Sequence, residues 1–597
     1  MMNTSYFKDR YTQYKTASEK HHQKFIRLST LRIAITIIFI LLLVFFANER
    51  NGWGLAITVM AFPLFFGFLV NRHNKIKYQK NHALFLADIN FIEQKKQTLE
   101  LKGQKNGNQF MDERHEYTAD LDIFGEHSLF QLINRCVTPE GEKILADWLK
   151  APASIQEATS RQEAVKELRK KPEWLQQFRA TGMHFEDEGD HIRDLLQWIE
   201  RKDLQLPKRM LTFALVSIPV TLISIILAFT GSFTFHIPAF FIIVNVFALR
   251  KVFRTAKETA DLTYEGSKAL KTYSALIELI RTEKTVSPWN KQVRAHFTGG
   301  GQEAPIILKR LDRCLDYINA RSNAFYYFFD MVLLLDIVLL HLLDRWKKAH
   351  GQEVKKWFHE VSKQDALNSL AGFSFAQPNY QFPLLVDHKF TLHTINMGHP
   401  LIPVESRVDN DFHLSDKGKV ALITGSNMSG KSTFQRTVGV NLALAFCGAP
   451  VCARQFEVSQ FQLFTSMRNR DRLEENVSSF YAELQRIRQL LDLINKSSTP
   501  VLYALDEVLK GTNSNDRHRG AMALIRQLSR SHAMGLISTH DLELGKENAG
   551  NKDVENFSFN AGFEGDRLIF DYKLSSGICH SFNASQLMKQ MGIDVED

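Results

Sequence analysis

Val420-Ala-Leu-Ile-Thr424 is an apolar run of strand composition, followed at once by Gly425-Ser-Asn-Met-Ser-Gly430-Lys431-Ser432 and then by a helically patterned stretch, Thr433 to Phe446. Strand, glycine loop and helix in that order constrain this chain more than any other feature. The pattern G-x-x-x-x-G-K-[ST] needs a parallel α/β sheet to hold a loop whose backbone N–H groups wrap phosphates. On that pattern Gly425, Ser426, Asn427, Met428, Ser429, Gly430, Lys431, Ser432 and Thr433 are the candidate nucleotide-binding residues. The glycines let the backbone approach the phosphates, Lys431 reaches the β and γ phosphates, and the Ser432 hydroxyl is offered to Mg²⁺.

The segments behind the loop supply the remaining parts of such a site. Val501-Leu-Tyr-Ala-Leu505 is an apolar strand ending in Asp506-Glu507. Asp506 is expected to hold Mg²⁺ and Glu507 to polarise an attacking water. An apolar strand ending in Asp-Glu is common by itself, and its place after a phosphate loop gives it meaning. A further strand, Gly535 to Ser538, leads into Thr539-His540-Asp541, where His540 at a strand end can sense a γ-phosphate or orient water. ATP and Mg²⁺ are the expected ligands. The alternation of short β-rich runs and helices from about Leu401 onward predicts a nucleotide-binding domain with a mostly parallel sheet.

The upstream part has a different texture. With 597 residues the chain exceeds what one core accommodates, so several domains are expected. Ile33 to Ala47 and Trp53 to Val70 are nearly free of charge and separated only by Asn48-Glu49-Arg50-Asn51-Gly52, which predicts a membrane hairpin. The first run is short for a span, and an interfacial or buried helix pair is the competing reading. Lys8, Arg10, Lys15, Lys20, Lys24, Arg27 and Arg32 precede it and Arg72, Lys75, Lys77 and Lys80 follow, which places both ends in the cytoplasm. Leu211 to Phe229 and His236 to Leu249 repeat the design with the same flanking charge. The chain is therefore expected in the cytoplasmic (inner) membrane as a multi-pass protein, with the nucleotide-binding domain in the cytoplasm. Phe325 to Leu343 is also apolar, but Asp330, Asp336 and His341 interrupt it, and a buried soluble helix is expected there. The net charge of +9 favours an anionic partner, nucleic acid or lipid, without choosing between them. Five cysteines without paired close spacing read as free thiols, and no metal is assigned to them.

Several segments resemble the MutS mismatch-repair ATPase family. Thr424-Gly-Ser-Asn-Met-Ser-Gly-Lys-Ser-Thr433, with Asn-Met between the glycines, is similar to its phosphate loop. Leu505-Asp-Glu-Val-Leu-Lys-Gly-Thr-Asn-Ser-Asn-Asp516 is similar to its D-E-x-x-x-G-T-x-x-x-D stretch, and Ser538-Thr-His540 to its terminal T-H. Ser478-Ser479-Phe480-Tyr481-Ala482-Glu483 resembles the S-T-F-x-x-E segment, which in the family reaches across a dimer, so Ser478 and Ser479 are candidate contacts to a partner's nucleotide. Ser128-Leu-Phe130, Asn134 and Val137-Thr-Pro-Glu-Gly141, then Trp148-Leu149, resemble the start of the family's core domain. Arg407 falls where the family often has an adenine-stacking aromatic, and Tyr572 is a candidate to stack on the base or, equally, a core aromatic. The resemblance implies an ATP hydrolase with a DE-type Walker B pair, acting as a homodimer with DNA as a partner.

The departures are equally specific. No counterpart of the family's mismatch-reading domain with its aromatic-x-Glu wedge is found, and the second apolar hairpin falls broadly where the DNA-gripping clamp would be. The resemblance therefore carries no expectation of mismatch recognition. The expected fold is α plus α/β: residues 1–110 a basic segment and hairpin, 111–206 the first part of a helical core, 207–252 the second hairpin, 253–390 the rest of the core, and 391–597 the nucleotide-binding domain. An ATP-binding-cassette transporter is one competitor, but it would need an L-S-G-G-Q-like signature before Val501 and more spans. A nucleotide-gated membrane scaffold that binds no nucleic acid is another.

Overall fold

The computed structural model describes residues 2–184, 189–201, 206–264, 266–298, 303–426, 428–467, 479–564 and 567–579. Two long antiparallel helices, Met2–Asn48 and Gly52–Gln97, open the chain. They are joined by a tight connection in which the Asn51 side chain caps the second helix by accepting from the Gly54 N–H at 3.0 Å. They run well past the apolar stretches on both sides. Towards the connection their side chains are exposed and apolar, as at Ile33, Leu41, Trp53 and Leu64. Away from it they form a two-helix stalk, held by Ser18 on the Lys80 carbonyl at 3.2 Å and Ser29 against His73 at 3.0 Å. The foot of the stalk is seated in the body: Phe7 is buried, and Tyr6 and Phe7 both meet the Phe375 ring edge-on.

The body is helical and is organised around one long helix, Leu335–Ala376, whose last turns are almost wholly buried. A second antiparallel pair, Lys208–Phe229 and His236–Thr263, projects from it. Among the described residues four helices, those of the two pairs, are long and apolar enough to cross a membrane. The stretch from Phe325 to Leu343 departs from the expected single buried helix. It breaks at Leu334, a left-handed residue with φ of 47°, into Ala324–Leu333 and the start of the long helix, with a bend of 78°. Asp330 supports the break: its carbonyl still accepts the ordinary helical bond from the Leu334 N–H at 2.8 Å, and its carboxylate accepts the Asp336 N–H, at the start of the next helix, at 2.9 Å. The two carboxylates are buried, yet Phe325, Phe328 and Phe329 are 70%, 67% and 61% exposed.

Beyond the body come two sheets. The smaller has four strands in the order Leu384–Val386, Gln455–Ser459, Thr391–Met397, Asn410–Ser415. The larger has six, in the order Arg567–Ser576, Val554–Glu564, Val420–Gly425, Ala533–Thr539, Val501–Asp506, Gln462–Ser466. It is parallel except for the terminal hairpin of 554–564 with 567–576. The buried parallel strands are continuous apolar runs, as a sheet covered on both faces requires. The expected strands and the helix behind the loop, Lys431–Cys447, are present, each slightly longer than its apolar core. The observed architecture is thus a helix-rich α body followed by mixed sheets, in line with α plus α/β.

Candidate active site

Register brings the site together. Thr424 pairs with Thr539 and Asp506 with Ser538, so three neighbouring parallel strands end at one edge of the sheet. Ligands of open α/β sheets bind at such carboxyl edges. There Gly425 (φ of 155°) and Gly430 (φ of 106°) turn the chain into the helix Lys431–Cys447. At Gly430 a Cβ would lie 3.1 Å from the Tyr572 ring, so both its conformation and its close neighbour demand glycine. Lys431 is folded back on its own loop, donating to the carbonyls of Gly425 at 2.8 Å and Ser426 at 2.7 Å. Burial pulls its ammonium below the usual lysine range, with Glu507 and Asp506 opposing that pull. The Ser426 and Ser429 hydroxyl oxygens are buried with no hydrogen-bond partner among the described residues. Buried polar oxygens of that kind normally have partners, and their clustering beside Lys431 suits a ligand with several oxygens.

The carboxylate pair sits opposite. Ser432 donates its hydroxyl to Asp506 at 2.6 Å, and Ser538 donates to the other oxygen of the same carboxylate. Ser432 and Asp506 are therefore side by side, as a shared cation would require. Glu507 has φ of 52°, a conformation costly for a residue with a side chain, and its N–H is held by the Ser538 carbonyl at 3.0 Å. Its carboxylate meets Lys510 at 3.1 Å and the His540 Nδ1 at 3.7 Å. Burial pushes the Glu507 carboxyl up, but Lys510 and the charges of His540 and Lys431 outweigh it and hold the group below the usual glutamate value. It is an ionised base beside an imidazole.

Of the remaining expected residues, Met428 is exposed at the tip of the loop, and Ser429, Thr433 and Tyr572 join Lys431, Ser432 and Glu507 around a cleft of about 540 Å³. Tyr572 is half-exposed over Gly430, which fits a stacking surface better than a core aromatic. Arg407 also lines the cleft, with its guanidinium turned to Asp409 at 2.7 Å. Asn427 and Ser478 lie outside the described residues, and Ser479 begins the helix Ser479–Lys496. Three supporting residues were missed in the sequence: Lys510 on Glu507, Ser538 on Asp506, and Gln435, whose amide donates to the Leu505 carbonyl at 2.9 Å. Lys510 and Ser538 lie inside segments already singled out, but nothing in the linear order marks what they touch.

Comparison with known proteins finds similarity in two separate stretches. The family model described as MutS domain III matches residues 97–371, and that described as MutS domain V matches residues 421–593. The chain belongs to the MutS family. Its MutS domain III match runs straight through the second helix pair, and its domain V match takes in the loop, the carboxylate pair and His540. The DNA mismatch repair protein MutS of Staphylococcus epidermidis is 31% identical over 266 residues, which is 44% of this chain and 30% of that protein. That of Thermotoga maritima is 30% identical over 249 residues, 41% of this chain and 31% of the relative. Endonuclease MutS2 of Caldanaerobacter subterraneus is 29% identical over 254 residues, again 41% and 31%. The chain thus spans under a third of the length of the curated relatives it matches.

Proposed function

We propose that this MutS-family protein binds and hydrolyses ATP as a homodimer, that the two apolar helix pairs anchor it in the cytoplasmic membrane, and that it acts on DNA close to that membrane. The observation that carries the reading is the meeting of Lys431, Ser432, Asp506, Glu507 and His540 at one sheet edge. In this reading Gly425 to Thr433 bind the phosphates, with Lys431 leaving its own carbonyls to reach them and Ser426 and Ser429 finding acceptors there. Ser432 and Asp506 would hold Mg²⁺, which would supply neutralisation of phosphate charge. Glu507 takes a proton from water, His540 orients that water or the carboxylate, and Tyr572 stacks on the base. The proposed domains track the apolar runs: 1–110 and 207–252 carry the membrane helices, 111–206 and 253–390 the helical core, and 391–597 the ATPase.

The deciding experiment measures ATP hydrolysis by detergent-solubilised protein with and without duplex, branched and single-stranded DNA. Stimulation by one of them supports the DNA role. Hydrolysis indifferent to all three leaves a nucleotide-gated membrane scaffold, and no hydrolysis under any condition sinks the enzyme. The anchor predicts that the intact protein resists carbonate extraction and that deletion of residues 1–80 alone does not release it, because the second pair remains. Full solubility of the intact protein removes the membrane claim.

The dimer has its own test, since the family resemblance assigns Ser478 and Ser479 to the partner's nucleotide. A Lys431→Ala protomer and a Ser478→Ala/Ser479→Ala protomer should each be inactive alone. In a mixed dimer one composite site carries both defects and the other none, so activity should return in part. A mixture that stays inactive although mixed dimers form means either that these serines do not serve the partner's site or that both sites must work together.

A further inference from the structure

The helix Ala324–Leu333 bears on the membrane anchor, and its placement rests on that proposed reading. Its outward face is aromatic: Phe325, Phe328 and Phe329, at the i, i+3 and i+4 spacing of one helix face, are all largely exposed. Its carboxylate and those beside it do not share that face. Asp330 and Asp336 are buried, and Asp336 accepts from Arg321 and from the Tyr326 hydroxyl at 2.8 Å. The charges that argue against a bilayer location are thus consumed inside the protein, which is the condition under which carboxylates are tolerated there.

The break at Leu334 is treated in the same way. Unwinding a helix in hydrocarbon leaves backbone groups that no solvent can satisfy, so protein must satisfy them. Asn245, fully buried in the apolar stretch of His236–Thr263, donates its amide to the Met331 carbonyl at 2.9 Å. That carbonyl would have served the next turn had the helix continued. The Asn245 side chain is itself held by Ser217 at 2.6 Å and Thr221 at 3.3 Å on the other helix of the pair. Asn245 stands about 13 Å along its helix from His236, at 1.5 Å rise per residue, well inside the apolar run. Met331 is therefore tied to the interior of the second pair, where Phe240 and Phe247 are exposed just as Phe325, Phe328 and Phe329 are on the short helix.

We infer that Ala324–Leu333 is a fifth membrane element, a broken helix packed on the second pair with Phe325, Phe328 and Phe329 against lipid acyl chains. The long helix Leu335–Ala376 then begins within the membrane layer and ends where the stalk's Phe7 is seated, beside the sheets.

The test attaches an environment-sensitive fluorophore through one introduced cysteine at a time in full-length protein carrying Cys314→Ser, whose four remaining native cysteines are buried, reconstituted into phosphatidylcholine vesicles that contain nitroxide-labelled acyl chains. Labels go on Phe328→Cys, on Phe325→Cys as a second reporter of the same face, on Phe240→Cys in the second pair, and on Tyr317→Cys, an exposed position of the body. The expected result is quenching at Phe328→Cys and Phe325→Cys within about twofold of that at Phe240→Cys, with none at Tyr317→Cys. Quenching at Phe240→Cys with both aromatic-face labels behaving like Tyr317→Cys overturns the inference and leaves the anchor standing, whether solvent or another protein covers the face. No quenching at Phe240→Cys overturns the anchor and the inference together.

Discussion

Lys431→Ala and Glu507→Gln are expected to inactivate the protein in opposite ways. Removing Lys431 deletes the cation folded against the Gly425 and Ser426 carbonyls, the group proposed to reach the phosphates. A charge-assisted hydrogen bond contributes about 1.5–3 kcal/mol, so ATP should bind some ten- to hundredfold more weakly. Glu507→Gln keeps the shape of the side chain and its place beside Lys510 and His540, so binding should survive. Loss of a general base lowers turnover by about 10²–10⁴-fold, and ATP should accumulate unhydrolysed on the protein. Filter binding of labelled ATP together with single-turnover hydrolysis separates the two. Equal loss of binding in both variants contradicts the division of roles, as does Glu507→Gln turning over at near the parent rate.

The parts of this site legible in the sequence are those a strand presents at its end. Val420 to Gly425, Val501 to Asp506 and Ala533 to Thr539 are apolar runs whose next residues carry the chemistry, and parallel register brings those ends together without further instruction. What was illegible is contact between distant segments. Lys510 turned onto Glu507 depends on left-handed backbone at Glu507 and Leu509, which no composition announces. The apolar hairpins were legible from charge alone, but the stalk that extends them is amphiphilic and gave no strong period. Phe325 to Leu343 differs from a single helix for a physical reason: Leu334 is left-handed and Asp336 is taken up by Arg321 and the Tyr326 hydroxyl, neither of which the apolar run announces.

Val137-Thr-Pro-Glu-Gly141 shows the same limit in a structural motif, and it yields the largest stability effect expected in the body. Its partner is Asp365, 228 residues from Val137, whose carboxylate accepts the N–H groups of Val137 at 3.0 Å and Thr138 at 2.8 Å and the Thr138 hydroxyl at 2.7 Å. Thr138 in turn caps the helix Pro139–Lys150 by accepting from the Gly141 N–H at 3.1 Å, and a Cβ on Gly141 would sit 2.7 Å from the Asp365 carboxylate. Asp365→Ala strands three buried donors at about 1–3 kcal/mol for each left unsatisfied, so a loss of about 3 kcal/mol or more is expected. The pH dependence has a definite sign. Burial pushes the Asp365 carboxyl up to about 7, against the donors from Thr138 and Val137 that pull it down. In the unfolded chain it titrates near 3.9. Below about pH 4 both states hold the proton and the residue adds no slope. Between about pH 4 and pH 7 only the unfolded chain releases it, so stability falls as pH rises, and above about pH 7 the effect is constant. Asp365→Asn keeps an acceptor for the two N–H groups but cannot titrate, so it should lack that slope while losing less stability than Asp365→Ala. Thermal midpoints of the solubilised protein at about pH 5 and about pH 7.5, with hydrogen exchange at Val137 and Thr138, decide the matter. A slope in Asp365→Asn equal to the parent's, or unchanged exchange at those two amides in Asp365→Ala, would show that this carboxylate does not join the long helix to the start of the helical core.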